Sequence, residues 1–231
     1  MIRGIFFDLD GTLLDSLADI GDSMNRVLRN HGYPTHEVQR YKSFVGNGMA
    51  SLVRRALPPG ENLTEEKIHQ MIEEMKGIFA ENWNNKSTLY PGIDKMLTAL
   101  EKDGVFLGIL SNKPQEFTRT TVQYFFSQWD FQEVQGYDPR VYPLKPDPTA
   151  LLSLMEKWDC KMEEVLYVGD SDVDMEVAKN AGVKGVGVSW GFRGPKELIE
   201  SGADVVVDRP EEILEIVEAS KGEDSDNHLV P

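Results

Sequence analysis

Four short segments of the chain carry residues whose types and spacing could do chemistry together. Asp8 and Asp10 stand two apart in FFDLDGTLLD, at the end of an apolar run. Residues two apart on a strand project to one side, so both carboxylates can address a single small volume, and Gly11 lets the backbone turn sharply there. Ser111, Asn112 and Lys113 end a second apolar run, VFLGILSN followed by Lys113. Asp170 ends a third, in GDSDVD, with Asp174 just beyond, and Lys145 sits in YPLKPDP ahead of a helical pattern. Carboxylates gathered at one place repel unless a cation sits among them. Hard oxygen ligands favour Mg²⁺, which binds through a few carboxylates plus substrate phosphate. No His or Cys stands near these motifs, so zinc is not expected.

The same groups are what phosphoryl transfer needs. One carboxylate can attack as a nucleophile and become an aspartyl-phosphate. A second can protonate the leaving oxygen and later activate water. A lysine, a hydroxyl and a metal ion can hold the phosphoryl oxygens while charge shifts. Two classes of protein fit this set: an enzyme that turns over a phosphate ester, and a non-catalytic receiver-like switch that keeps its phospho-aspartate. A nucleotide-binding NTPase does not fit, because G-x-x-x-x-G-K-[ST] is absent. The glycines of GVKGVGVSWG lie within or after a strand pattern and do not make the dinucleotide fingerprint.

These segments need a scaffold that brings them together. Residues 1–9 read as a strand, and short apolar runs after Gly104 alternate with helical patterns. Alternation with short links predicts βαβ units: an α/β fold with a doubly wound, Rossmann-like parallel sheet. Ligands bind outside the carboxyl ends of the strands in such sheets, where the polar motifs fall. Between them the pattern turns helical, in LADIGDSMNRVLRNHG, NGMASLVRRAL and LTEEKIHQMIEEMKGIFAENW, the last with Thr64 as its N-cap. The expected organisation is a core domain of residues 1–14 and 88–219, an inserted α-helical cap of residues 15–87, and a disordered acidic tail of residues 220–231 that includes His228.

Composition narrows the partners. The chain has 231 residues and a net charge of −15, which repels nucleic acid and anionic lipid. A phosphorylated metabolite would meet the same repulsion, so its site needs local cations. No apolar run reaches the ~18 residues of a membrane span, and MIRGIFFDLD lacks the marks of a signal peptide. Cys160 is the single cysteine and cannot form an internal disulfide, so a reducing cytoplasm is the expected location. The expected partner is a small phosphorylated metabolite, with the chain a monomer or homodimer.

DLDGTLLDS and the three later motifs, in this order, resemble the haloacid dehalogenase-like hydrolases, whose phosphatase members carry four such motifs around an inserted cap. The resemblance covers almost the whole chain. It implies that Asp8 is the nucleophile and Asp10 the acid/base, that Ser111 and Asn112 bind phosphate, and that Lys145 steadies nucleophile and phosphate. It also implies a Mg²⁺ ion held by Asp8, Asp10 (through its main-chain carbonyl) and Asp170, with Asp174 in support.

Departures sort the members. Dehalogenases lack an aspartate where Asp10 stands, and Ile20 occupies the place of a histidine that the β-phosphoglucomutases carry. FVGNGMASLVRRAL, YPGI and SWGFRGPKEL are similar to the phosphoglycolate phosphatases, so 2-phosphoglycolate is the expected substrate, with pyrophosphate, a sugar phosphate or a nucleotide as alternatives. Gly46, Asn47 and Gly48 would let main chain approach a small ligand closely. Arg54 and Arg55 are candidates to meet the substrate's carboxylate.

Overall fold

The computed structural model describes residues 1–61 and 63–226. Strand β1 (Gly4–Phe7) is buried at every residue, as expected of a central strand covered on both faces. A two-residue strand, β2 (Leu14–Asp15), leads out of the turn that follows it. Helices α1 (Leu17–Asn30), α2 (Gly48–Ala56) and α3 (Glu65–Asn82) come next, with a 3₁₀ turn at Val38–Ser43 between the first two. Thr64 caps α3 as expected, its hydroxyl accepting the Lys67 N–H at 3.2 Å. Strand β3 (Thr88–Leu89) returns antiparallel to β2 and pairs Leu14 with Leu89 and Asp15 with Thr88.

From there strands and helices alternate: α4 (Ile93–Lys102), β4 (Phe106–Pro114), α5 (Gln115–Phe125), β5 (Phe131–Tyr137), α6 (Thr149–Lys157), β6 (Val165–Gly169), α7 (Asp172–Ala181), β7 (Lys184–Val188), α8 (Pro195–Glu200), β8 (Val205–Val207) and α9 (Glu211–Asp226). The large sheet is parallel, in the order β5-β4-β1-β6-β7-β8. This is the doubly wound α/β fold that the alternation predicts. β1 lies between β4 and β6, with Gly4 in register with Phe106 on one side and Val165 on the other. The carboxyl ends of β1, β4 and β6 are therefore neighbours, and each carries one of the polar motifs.

Alternate residues of β1 face opposite layers, as the strand period requires. Ile5 and Phe7 join the cluster that includes Ile93 and Leu97 of α4 and Ile213 of α9. Phe6 joins the other, with Leu151, Leu154 and Val177, and its ring stacks on Trp158 at 4.2 Å. A third cluster lies within α1–α3 and the 3₁₀ turn, centred on Met24, Tyr41, Val53 and Met71, and it takes in Phe117 and Phe192 from beyond the insertion. Asp19, buried in α1, accepts the main-chain N–H groups of Lys86 and Ser87 at 2.9–3.0 Å and so ties the end of the insertion to its beginning.

One expectation needs correction. α9 continues to Asp226, so residues 220–226 are helical rather than disordered. Ile213 and Val217 anchor the helix in the core, Ser220 Oγ accepts the Ile2 N–H at 2.8 Å, and Lys221 meets Asp103 at 3.0 Å. Those contacts carry the helix past its apolar stretch. The rest of the expected tail, with His228, lies outside the described residues.

Candidate active site

Asp8 follows the last residue of β1, and its N–H still bonds to Val168 O on β6 at 2.9 Å. The chain then folds back tightly: the N–H groups of Thr12, Leu13 and Leu14 all turn to Leu9 O. Gly11 makes this turn with φ +92°, and its backbone passes so near Asp170 that a Cβ there would overlap the carboxylate. Asp8 and Asp10 are both buried and line one cavity, as their spacing predicts. Their side chains have different partners.

Lys145 reaches Asp8 from the loop between β5 and α6. Asn112 fixes that loop: its side-chain oxygen accepts the Lys145 N–H at 2.8 Å, and its amide N–H groups go to Lys145 O at 3.1 Å and Gly46 O at 3.0 Å. The Asn112 side-chain amide is spent on main chain and braces the site, while the residue itself lines the cavity. Lys145 Nζ donates to Asp174 Oδ1 at 2.7 Å and to Tyr167 OH at 2.8 Å, and Tyr167 passes its own proton to Leu110 O at 2.7 Å. Nζ also stands 3.0 Å from Asp8 Oδ1. That approach has ion-pair distance without hydrogen-bond geometry, and Asp8 Oδ1 is left buried with no hydrogen-bond partner.

Asp174 owes its position to the start of α7. Ser171 is the N-cap and Asp174 the third helical residue of a reciprocal capping box. Asp174 Oδ2 accepts from Ser171 Oγ at 2.7 Å, Ser171 N at 3.0 Å and Asp170 N at 3.1 Å. Asp170 itself is held by Thr12 Oγ1 at 3.0 Å and by Phe192 N at 2.8 Å.

Burial pushes the Asp8 carboxyl up to about 6; Lys145 opposes the rise, while Asp174 and Asp10 add to it. Burial, then Asp174 and Asp8, hold Asp170 well above the usual carboxylate range. Burial alone would discharge Lys145, but Asp174 and Asp8 outweigh it and keep the ammonium charged far above neutral pH.

Asp8, Asp170 and Asp174 can each present an oxygen within 4.8 Å of the others. Both oxygens of Asp174 and of Asp170 accept hydrogen bonds from the protein, whereas Asp8 Oδ1 accepts none and has only the Lys145 ammonium at 3.0 Å. Two carboxyls whose ionisation is opposed first by burial and then by neighbouring carboxylates, and one oxygen without a hydrogen bond, fit a hard divalent cation between Asp8 and Asp170. The Asp10 carboxylate is outside this group, and the family resemblance places Asp10 at the ion only through its main-chain carbonyl. It accepts from Ser16 Oγ at 2.6 Å and faces Lys113 Nζ at 3.0 Å from both oxygens.

Lys113 is the residue that sequence reasoning passed over. It was visible only as the third member of the Ser111-Asn112-Lys113 strand end, with no role attached. Its side chain is buried on Asp10 and lies 4.7 Å from the Phe79 ring centroid. Tyr167 was missed for the same reason: within an apolar strand nothing marks its hydroxyl as a partner for Lys145.

Ser111 lines the cavity with Asp8 and Asp10, and Gly46 and Gly48 bring main chain to its edge. Asn47 instead lines the neighbouring outer groove. The insertion supplies an apolar roof of Ile20, Val45, Met49, Leu52, Met75 and Phe79. Phe79 meets Phe117 of α5 edge to face at 5.2 Å, and Arg193 donates to the main-chain carbonyls of Lys42 and Val45. The cavity holds about 70 Å³, below the roughly 300–1,000 Å³ of pockets for drug-sized ligands. Arg54 pairs with Glu65 on the outer surface and Arg55 donates to Phe44 O at 3.3 Å; both stand outside the cavity lining.

The sequence profile of the haloacid dehalogenase-like hydrolases matches residues 5–188. The chain belongs to that family. This hydrolase is 34% identical to the phosphoglycolate phosphatase of Vibrio parahaemolyticus over 224 residues, covering 95% of the chain and 97% of the relative. It is 34% identical over 221 residues to the phosphoglycolate phosphatase of Vibrio cholerae, covering 94% and 97%. Its fold is similar to the crystal structure of a predicted phosphoglycolate phosphatase from Haemophilus somnus 129pt, with a TM-score of 0.86, 30% identity, and coverage of 94% and 98%. With such relatives matching it end to end, this hydrolase is a phosphoric monoester hydrolase. Among the described residues no helix is long and apolar enough to cross a membrane.

Proposed function

We propose that this hydrolase cleaves 2-phosphoglycolate through an aspartyl-phosphate on Asp8, with Mg²⁺ as cofactor. One observation carries the reading: Asp8 Oδ1 is buried at the cavity beside Lys145 and lacks a hydrogen-bond partner. The oxygen is poised to bond to something absent from the protein. The small cavity and the phosphoglycolate phosphatase relatives support the substrate.

In this reading Asp8 attacks phosphorus in line, and the P–O bond to the leaving glycolate breaks. Lys145 and Ser111 hold phosphoryl oxygens as charge develops. Asp10, presented by Lys113 and Ser16, protonates the departing alkoxide. Asp10 then takes a proton from water, which attacks phosphorus and frees Asp8. The helices of residues 15–87 act as a cap whose apolar roof keeps bulk water from the first step. Asp8 and Asp170 would hold the Mg²⁺, with the Asp10 main-chain carbonyl a third ligand by family resemblance. When bound, the ion neutralises the clustered carboxylates and the phosphate together. A cytoplasmic site of action belongs to the same reading, supported by the lone thiol Cys160.

The small cavity and its apolar roof favour a short ester over sugar phosphates and nucleotides, which bring more bulk and more hydroxyls. The test is a panel of about thirty phosphomonoesters, assayed with Mg²⁺ and with pyrophosphate included. Highest kcat/KM on 2-phosphoglycolate supports the reading; no turnover of it beside efficient cleavage of another ester overturns the substrate.

A further inference from the structure

A substrate with a second negative charge faces an obstacle in this cavity. The roof contributed by the insertion is apolar throughout, from Ile20 and Val45 to Met75 and Phe79. A carboxylate moved from water to such surroundings needs a cation or several donors to be tolerated. Lys145 cannot serve, because beside Asp8 it stands on the phosphoryl side, where the reading above gives it the phosphoryl oxygens. Arg54 and Arg55, the cations that the sequence offered for this task, lie elsewhere. Lys113 is the cation that lines the cavity.

Lys113 also stands in the right place. It holds Asp10, the group that would protonate the leaving oxygen, so it lies on the leaving-group side. Its ammonium has three N–H groups, and Asp10 takes at most two of them through its two oxygens, each at 3.0 Å, which leaves at least one. The Phe79 ring, 4.7 Å from Nζ, covers another side and keeps water from it. Only 6% of the side chain is exposed, so an anion reaching Nζ meets a charge that solvent screens little.

From these relations we propose that Lys113 is the specificity residue that selects phosphomonoesters carrying a carboxylate close to the phosphate. An N–H not engaged by Asp10 receives the carboxylate, while Asp10 keeps its place for proton transfer. Short carboxylated esters are favoured because, among the described residues that line the cavity, Lys113 is the only cation, while Lys76, Arg119 and Arg140 line the neighbouring outer groove. This inference rests on the substrate reading above and sharpens it, since it names the group that recognises the acid.

The experiment compares two esters alike in size, 2-phosphoglycolate and ethyl phosphate, in wild type, Lys113→Met, Lys113→Gln and Lys113→Arg, all with Mg²⁺. Loss of Asp10 positioning would lower kcat/KM for both esters alike. Loss of carboxylate recognition adds a further drop on 2-phosphoglycolate alone, expected at about 10- to 100-fold from the strength of a charge-assisted hydrogen bond. Lys113→Arg should recover part of the preference, and Lys113→Gln stands in if the methionine variant does not fold. Equal losses on the two esters would overturn the inference and leave the phosphatase reading intact. A calorimetric arm uses uncleavable probes, 3-phosphonopropionate and propylphosphonate. Wild type should bind the carboxylated probe more tightly and Lys113→Met should lose that margin; equal binding of the two probes by wild type overturns the inference. Should wild type cleave neither ester, the substrate reading falls, and the probes still judge Lys113.

Discussion

Lys145 Nζ lies 2.7 Å from Asp174 Oδ1, and neither side chain is more than 2% exposed. A charge pair withdrawn this far from water must be anchored at both ends. Asp174 is anchored by the capping box of α7, and Lys145 by Tyr167 and the Asn112 bracket. The sheet thereby fixes the cation that faces Asp8 before any substrate arrives, which is how a preorganised site lowers a barrier.

Replacing that lysine by an uncharged side chain of similar length should harm both fold and turnover. In Lys145→Met, Asp8 and Asp174 face each other without compensation. Breaking a buried pair in this way costs about 3–5 kcal/mol, seen as a lowered melting temperature in thermal denaturation followed by circular dichroism. Loss of a group aimed at developing charge should lower kcat by about 10²–10³-fold.

The raised Asp8 carboxyl makes the metal-free protein pH-sensitive in a defined direction. Its pKa rises from 3.8 to about 6 on folding. Between those values the folded state binds more protons than the unfolded state, so stability falls as pH rises, by about 3 kcal/mol across the window. Asp8→Asn removes this titration. In EDTA the variant should be more stable than wild type at pH 7.5, and the difference should shrink as pH falls through 6 toward 4. Denaturant melts of both proteins at several pH values measure it; a difference independent of pH would contradict the assignment.

Removal of the divalent ion should abolish turnover, and Mg²⁺ should restore it. Mg²⁺ should also raise the melting temperature, because an ion bound only by the folded state adds about 2.7 kcal/mol at a hundred times its Kd. Asp170→Asn should weaken both responses. Asp10→Asn should leave the thermal response largely unchanged, since its side chain sits with Lys113 and Ser16 away from the acidic cluster.

Much of the scaffold was legible in the chain. Continuous apolar runs such as Gly4–Phe7 and Val165–Gly169 announce buried parallel strands, and Asp8, Ser111, Lys145 and Asp170 all fall where their motifs predict. Other features escaped for physical reasons. The β2–β3 ribbon has two residues per strand, too few for any periodicity. The pairing of Lys113 with Asp10 joins positions 103 residues apart and exists only once β1 and β4 are neighbours. The bracing role of the Asn112 side chain was hidden because residue type gives no hint that three main-chain groups would claim its amide. The helical end of α9 depends on Ser220 meeting Ile2, again a contact across the whole chain.

The central claim is that Asp8 becomes phosphorylated during turnover. The direct measurement is acid quenching of wild-type protein with ³²P-labelled 2-phosphoglycolate and Mg²⁺ on the millisecond scale, followed by peptide mapping. The account predicts a transient, acid-stable and base-labile label on the peptide containing Asp8, forming and decaying at rates consistent with kcat. Label on another residue, or undiminished turnover in folded Asp8→Asn protein, would contradict it.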